Sequence, residues 1–312
     1  MKAPGTDGQR RTGSVLVGLV AVVALLLVGC GSSGGQAAGG PAPVLTISAI
    51  PDQDPEKLQR LYGQVSSYLG EKLGVTVTYQ PVTDYTASVT SFRRGDLDAV
   101  FFGGLSGVQA RLQLPGSVLL AQRDIDERFR SVFIAGTTAA LAPVPDVAGL
   151  AELRGKSLTF GSEVSTSGRL MPQFFLGQAG VTPADLAGAP GFSGSHDATI
   201  KLVEAGTYQV GALNASVWDA RVAAGSVDPA TVTEIFRTPT YHDYHWLGRP
   251  DLDEKFGAGF TERLRAALLD LDGSDQRETD ILALFTAGSF VPTTAANYTD
   301  IEAIARQLGL VR

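Results

Sequence analysis

Apolar and polar positions along this chain switch between a period near 3.6 and a period near 2, and the switching marks out the elements. Leu45 to Ile50 is a short apolar strand, and from Pro55 the residues Leu58, Leu61, Tyr62, Val65, Tyr68, Leu69 and Leu73 keep helical spacing until Gly74 stops it. Val75 to Tyr79 alternates as a strand, Thr83 or Asp84 caps a helix through Arg94, and Leu97 to Phe102 is a buried strand ending in Gly103-Gly104. A helix over Leu105 to Leu112 and a strand over Val118 to Ala121 complete a β-α-β-α-β order, which predicts a parallel sheet with helices on both faces and ligands at the strands' carboxyl ends.

Phe129 to Ala135 is a longer apolar strand that crosses to a second lobe, where the scheme repeats. There the pattern predicts helices at Val147 to Arg154, Gly168 to Ala179 and Val217 to Ala223, and strands at Ser157 to Phe160, Val210 to Leu213 and Thr231 to Phe236. Between them the turn Gly191 to Thr199 opens a helix running to Ala205. After Arg237 come helices over Leu252 to Leu271, Glu278 to Leu284 and Ile301 to Leu308. Packed back on the first lobe, they give two connections between lobes and a cleft that can close.

The 312 residues begin with a segment that is not fold. Lys2, Arg10 and Arg11 precede an apolar run from Val15 to Val28, the form of a secretory leader over residues 1–29. Read instead as an uncleaved anchor, that run is short for a membrane span of about 20 residues. Its end, Leu27-Val28-Gly29-Cys30, holds the only cysteine, so the exported part has no disulfide and depends on its core. Residues 30–43 are mostly Gly, Ser, Ala and Pro without charge, a flexible tether. Without the leader, 22 basic and 31 acidic residues remain, a net charge of −9 that disfavours nucleic acid. The remaining length exceeds one usual core and predicts two lobes, residues 44–134 with 237–312 and residues 135–236.

Within the second lobe, Gly161 to Pro172 carries the chemistry. A strand, a hydroxyl-rich turn and a helix follow one another, and a helix's first turn leaves amides unpartnered at the positive end of its dipole. Ser165, Thr166 and Ser167 add hydroxyl donors beside those amides, and Gly168 lacks the Cβ that would hold an anion off the backbone. An ordinary N-cap accounts for the same serines and threonine equally well.

Longer motifs decide between these readings. Asp84-Tyr85 followed by Phe92-Arg93-Arg94-Gly95-Asp96-Leu97-Asp98, the Gly161-Ser162 turn with Ser165-Thr166-Ser167-Gly168 and Pro172, and Gly194-Ser195-His196-Asp197 with Asn214 downstream occur in this order. Together, over nearly all of residues 45–310, they resemble the solute-binding lipoproteins of ABC importers in the phosphonate, phosphite and phosphate group. Ser48-Ala49-Ile50-Pro51-Asp52, Leu213-Asn214-Ala215-Ser216-Val217-Trp218-Asp219 and Tyr241-His242-Asp243-Tyr244 resemble most a branch labelled selenate-binding. The leader's end resembles a lipobox, which makes Cys30 the lipidated N-terminus and places the protein on the extracytoplasmic face of the bacterial cell membrane.

The resemblance implies an α/β fold of periplasmic-binding-protein type II, with two doubly wound lobes closing on one ligand. It implies that Ser165, Thr166 and Ser167 donate to a small tetrahedral oxyanion, that His196 donates from an opposing helix start, and that Tyr85 reaches across from the first lobe. Asn214 and Asp243 complete the implied ligand set. From the residues alone, His196 reads first as a capping or packing histidine, and the Tyr85 ring as a core residue. The implied partners are an ABC permease and its ATPase, the membrane through the lipid on Cys30, and no cofactor, for a protein acting as a monomer.

One departure bears on the substrate. In aminophosphonate receptors an acid near the position of Ser216 pairs with the ligand's amine, and here neither Ser216 nor Ala215 is charged. At Asp243, a carboxylate in the cleft accepts a proton from phosphate or phosphite but repels a fully ionised selenate or sulfate. Ser167, His196 and Asp243 suggest a nucleophilic triad, but Ser167, flanked by Thr166 and Gly168 with Ser165 two before it, has no G-x-S-x-G elbow. His242 and His245 lie three apart in a stretch read as strand, on opposite faces and unsuited to sharing a metal. An importer receptor, an oxyanion receptor of the selenate branch and a sensing lobe for a signalling partner are the functional expectations.

Overall fold

The computed structural model describes residues 42–311, so the leader, Cys30 and most of the tether lie outside the described residues. Val44–Ala49 (β1), Thr76–Tyr79 (β2), Ala99–Phe102 (β3) and Val118–Arg123 (β4) are joined by helices Pro55–Leu73 (α1), Tyr85–Arg94 (α2) and Gly104–Gln113 (α3). The chain then crosses through residues 124–130 to Ser131–Gly136 (β5). There follow Leu158–Phe160 (β6), Met171–Gln178 (α4), Gly191–Phe192 (β7), His196–Glu204 (α5), Val210–Asn214 (β8), Ala215–Ala223 (α6) and Val232–Arg237 (β9). Residues 238–244 lead back to His245–Gly248 (β10), Leu252–Phe256 (α7), Phe260–Leu269 (α8), Gln276–Phe285 (α9), Phe290–Val291 (β11) and Thr299–Gln307 (α10).

Two sheets result, one ordered β11-β4-β10-β3-β1-β2 and the other β7-β6-β8-β5-β9. The predicted parallel core is present as β2-β1-β3 and as β7-β6-β8. The sheets are nonetheless mixed, because β10 lies antiparallel between β3 and β4, and β5 lies antiparallel between β8 and β9. Each of these two strands enters its sheet straight after crossing from the other, which reverses its direction. The crossings hold each other, since Phe129 and Tyr241 exchange backbone hydrogen bonds of 2.9 and 3.0 Å.

Local signals position these elements. The Asp54 carboxylate caps α1 by accepting from the Glu56 and Lys57 amides, and Gly74 ends it in the left-handed region at φ 68°. The buried face of α1 packs with β1, β3, α8 and α9 around Tyr62, Phe101 and Trp246. Each fully buried leucine or phenylalanine there contributes on the order of 1.5–3 kcal/mol.

Two expectations change. The helix predicted over Leu252 to Leu271 breaks into α7 and α8, because Gly257 and Gly259 take φ of 97° and 75°. And α10 does not simply rejoin the first sheet's core: Ile301 and Ala305 cluster with Phe175 and Leu170 of the second lobe and with Leu105 and Val108 of α3.

Candidate functional site

Ser165, Thr166 and Ser167 are buried where β6 gives way to a π turn, Thr166–Leu170, that runs directly into α4. A π turn shifts the helix register by one residue, a distortion common at functional sites. Ser165 is the N-cap of this turn, its Oγ accepting from the Gly168 amide at 2.9 Å. Gly168 is needed for a reason other than the expected one. A Cβ there would meet Ser165 Oγ at 2.9 Å and Gly161 Cα at 3.1 Å, so its bareness lets the turn fold onto the strand end. The Gly161 amide donates to the Gly168 carbonyl at 2.8 Å and closes this loop.

Thr166 faces the other lobe. Its Oγ1 accepts from the Leu105 amide at 2.9 Å, in the first turn of α3, whose N-cap Gly103 has no side chain to do this work. Beside it, Asp243 Oδ1 accepts from the Gly104 amide at 2.8 Å. A Cβ on Gly103 would meet Thr166 Oγ1 at 3.3 Å and Asp243 Oδ1 at 3.4 Å, so a glycine there permits this close approach.

Three buried polar atoms at this place have no hydrogen-bond partner among the described residues: Ser167 Oγ, Tyr85 Oη and Asp243 Oδ2. The Thr166 and Ser167 amides, in the first turn, likewise have no protein acceptor among the described residues. Burial is the main reason that the Asp243 carboxyl titrates up at about 7, with the Gly104 amide acting against it. Burial, then the Asp52 charge, raises the Tyr85 phenol well above its ordinary value. The Ser167 carbonyl accepts from Ser131 Oγ at 2.7 Å, and Ser131 Oγ lies 2.7 Å from Tyr241 Oη.

His196 and Asn214 sit a short way off, in a cluster that satisfies itself. Tyr244 Oη donates to Asp52 Oδ2 at 2.8 Å and accepts from Asn214 Nδ2 at 3.2 Å. His196 Nδ1 accepts from the Asn214 amide at 3.4 Å, which leaves the proton on Nε2, 3.2 Å from Tyr244 Oη. Asn214 Oδ1 caps α6 through the Ser216 and Val217 amides. Burial drives the His196 imidazole down to about 4 and the Asp52 carboxyl up to about 6. The Tyr244 ring lies 4.6 Å from the Arg123 guanidinium, which is paired with Asp126 at 2.7 Å.

The cluster spans the cleft, because Asp52 follows β1 in the first lobe and His196 starts α5 in the second. Two bonds donated by backbone amides reinforce it, from His196 to the Asp52 carbonyl at 2.9 Å and from Asp54 to the Asp197 carboxylate Oδ2 at 2.8 Å. Asp197 also pairs with Arg221 at 2.7 Å.

The structure thus brings Ser165, Thr166, Ser167, Tyr85 and Asp243 together, with His196 and Asn214 in the neighbouring cluster. Asp52, Tyr244 and Ser131 were not singled out as site residues by sequence reasoning. Asp52 had one usable signal, its place just beyond the carboxyl end of a predicted strand. Ser167, His196 and Asp243 form no relay, since the imidazole is held by Tyr244 and Asn214 and Ser167 Oγ has no hydrogen-bond partner among the described residues. His242 Nδ1 faces Gln122 Oε1 at 3.3 Å while the His245 ring lies 4.2 Å from that of Tyr298.

Comparison with known proteins places this geometry in context. The model of the family described as ABC transporter, phosphonate, periplasmic substrate-binding protein matches residues 47–298. The chain is 46% identical, over 86% of its length and 91% of the relative's, to the probable ABC transporter phosphite binding protein PhnD1 of Prochlorococcus marinus strain MIT 9301. The solved structure of that PhnD1 in complex with methylphosphonate superposes with a TM-score of 0.84 at 45% identity, covering 86% of this chain and 99% of that one. The phosphate-import protein PhnD of Mycolicibacterium smegmatis is 24% identical over 93% of this chain and 94% of its own. A binding protein component of an ABC phosphonate transporter from Pseudomonas aeruginosa, 16% identical, shares the fold at a TM-score of 0.72 over 85% of this chain and 86% of its own.

Proposed function

The chain belongs to the periplasmic substrate-binding proteins of phosphonate ABC transporters and has their type II two-lobed fold, and from that premise we propose that its cleft captures a small tetrahedral oxyanion carrying one proton, of the phosphite or methylphosphonate kind. The observation that carries the reading is that Ser167 Oγ, Tyr85 Oη and Asp243 Oδ2 are all buried and unpartnered among the described residues, with Tyr85 an electrostatic neighbour of Ser165 and Asp243. A buried polar group without a partner costs about 1–3 kcal/mol, so a ligand that supplies the missing partners recovers that cost. Ser167 and Tyr85 donate to oxyanion oxygens, as do the Thr166 and Ser167 amides at the positive end of the turn. Asp243 completes the set from the other sign of charge. Its free oxygen accepts the ligand's one O–H, a bond that sulfate and selenate cannot offer near neutrality.

The relatives support the same ligand class, one named for phosphite and solved with methylphosphonate, another named for phosphate. An amine tail finds no acid in the first turn of α6, and Asp219 further along is turned to Arg237 at 2.7 Å. The relatives are transport receptors and not enzymes, and this chain's role is delivery of the bound anion to a permease driven by its ATPase. It works from the extracytoplasmic side, held at the membrane by lipid on Cys30. Replacing Cys30 by serine should abolish labelling by a palmitate analogue and release the protein from the membrane fraction; retained label or retention would contradict the anchor.

Thermal-shift titration of the mature protein tests the ligand. Phosphite or methylphosphonate at a hundred times its Kd should stabilise the native state by about 2.7 kcal/mol. Sulfate, selenate and aminoethylphosphonate should give little at equal concentration. Stabilisation by selenate alone would transfer the protein to the selenate reading, and no response to any oxyanion would refute the proposal.

A further inference from the structure

A cavity of about 620 Å³ opens between α4, α10 and the two segments that cross between the lobes. One side of it is apolar, formed by Met171, Phe174 and Phe175 of α4 and by Ile301 and Ile304 of α10, and the other carries Thr240, His242, Asn297 and Gln307. Two exposed carboxylates at its mouth, Glu127 on the first crossing and Asp300 on α10, also line it, and among the described residues no lysine or arginine does. Neither acid has an ion-pair or side-chain hydrogen-bond partner among the described residues. The volume suits a small organic molecule, and ligand sites of this size pair apolar walls with a few polar groups.

We propose that this cavity is a second ligand site, which takes a compact aromatic or aliphatic amine and tunes closure of the cleft. The apolar walls hold the body of such a molecule and the two free carboxylates hold its ammonium group, whereas an organic anion of the same shape is repelled. This charge preference is opposite to that of the oxyanion site, so the two sites do not compete for one ligand.

The cavity connects to the oxyanion turn at two points. Met171, in its wall, is the first residue of α4 and follows the Thr166–Leu170 turn without a break. Tyr241 also lines it, and its hydroxyl lies 2.7 Å from Ser131 Oγ, which donates to the Ser167 carbonyl at 2.7 Å. Since the walls come from both crossing segments, the shape of the cavity depends on the angle between lobes. An occupant that fits one angle better shifts the closure equilibrium, and the oxyanion must shift the occupant's affinity by the same factor. This coupling, though not the cavity's own binding, rests on the oxyanion reading.

Calorimetric titration of the mature protein with 2-phenylethylamine, with and without methylphosphonate, tests both parts. The amine should bind saturably with a Kd of about 0.1–1 mM, and phenylacetate at least about tenfold more weakly. Changing both acids together, Glu127→Gln with Asp300→Asn, should weaken the amine about tenfold and leave methylphosphonate affinity within about twofold. Saturating amine should change methylphosphonate affinity by about fivefold or more in the wild type. Absence of saturable binding up to about 10 mM, equal binding of phenylacetate, or a double variant that binds the amine as well as wild type would overturn the site. Amine binding that leaves methylphosphonate affinity untouched would overturn the coupling. Failure of the oxyanion reading would appear separately, as no methylphosphonate heat without amine.

Discussion

Two clusters between the lobes use similar residues to opposite ends. Around Ser167, Tyr85 and Asp243, hydroxyls and a carboxyl are buried with partners missing. Around Tyr244, the Asp52, His196 and Asn214 side chains are buried just as deeply, and each has its partner. The first arrangement costs stability until something fills it, and the second ties the two lobes together with no ligand. The contrast assigns different work to them. Under the proposed function the unfilled set is the one expected to take the ligand, and the filled set, whose bonds run between the lobes, is expected to act as a latch.

Substitution can break the comparison, and Asp243→Asn should do most. It removes the proton acceptor, so phosphite or methylphosphonate should bind about 10- to 100-fold more weakly by calorimetry, the scale of a hydrogen bond to a charged group. The same change should raise the stability of the ligand-free protein in alkali. The Asp243 carboxyl titrates at about 7 in the fold against an ordinary 3.8. The native state therefore holds the extra proton between those values, and stability falls as pH rises through that window. Above pH 7 the buried charge is present in full, and asparagine relieves it. Melting curves should show the variant ahead of wild type at pH 8, with the advantage gone near pH 4.

Smaller losses sharpen the same contrast. Ser167→Ala and Tyr85→Phe should each weaken binding about 3- to 10-fold, while unfolding free energy stays within about 0.5 kcal/mol, because neither hydroxyl has a well-formed hydrogen bond among the described residues to lose. Tyr244→Phe should show the reverse balance. It strands Asp52, Asn214 and His196, and should cost about 1–3 kcal/mol of stability for a two- to fivefold loss of affinity, mostly as faster dissociation. At the rim, Asp197→Asn should change affinity by less than about twofold, and high salt should erase the difference, since its partner Arg221 is partly exposed. A latch variant that lost affinity without losing stability would show that His196 and Asn214 belong with the ligand set after all.

Much of this was legible in the sequence because it is local. The helical spacing of α1, its Asp54 cap and its Gly74 stop lie within one stretch of chain, and so does the capping of the oxyanion turn by Ser165. What was not legible depends on partners distant in the chain. Nothing near His245 announces that β10 will run antiparallel between β3 and β4. Helical periodicity over Leu252 to Leu271 continues across Gly257 and Gly259, so the break appears only as backbone conformation. Nothing near Thr166 announces that its Oγ1 also accepts from the Leu105 amide, 61 residues away. Gly168 reads as room for an anion until Gly161 is seen to fill that room.

The central claim is that the cleft selects an oxyanion by its one remaining proton, and competition between phosphite and sulfate for the mature protein at pH 7 measures this most directly. The account predicts that phosphite outcompetes sulfate by about 100-fold or more, and that Asp243→Asn removes most of that preference. Equal affinity for the two anions in the wild type, or a preference unchanged in the variant, would contradict it.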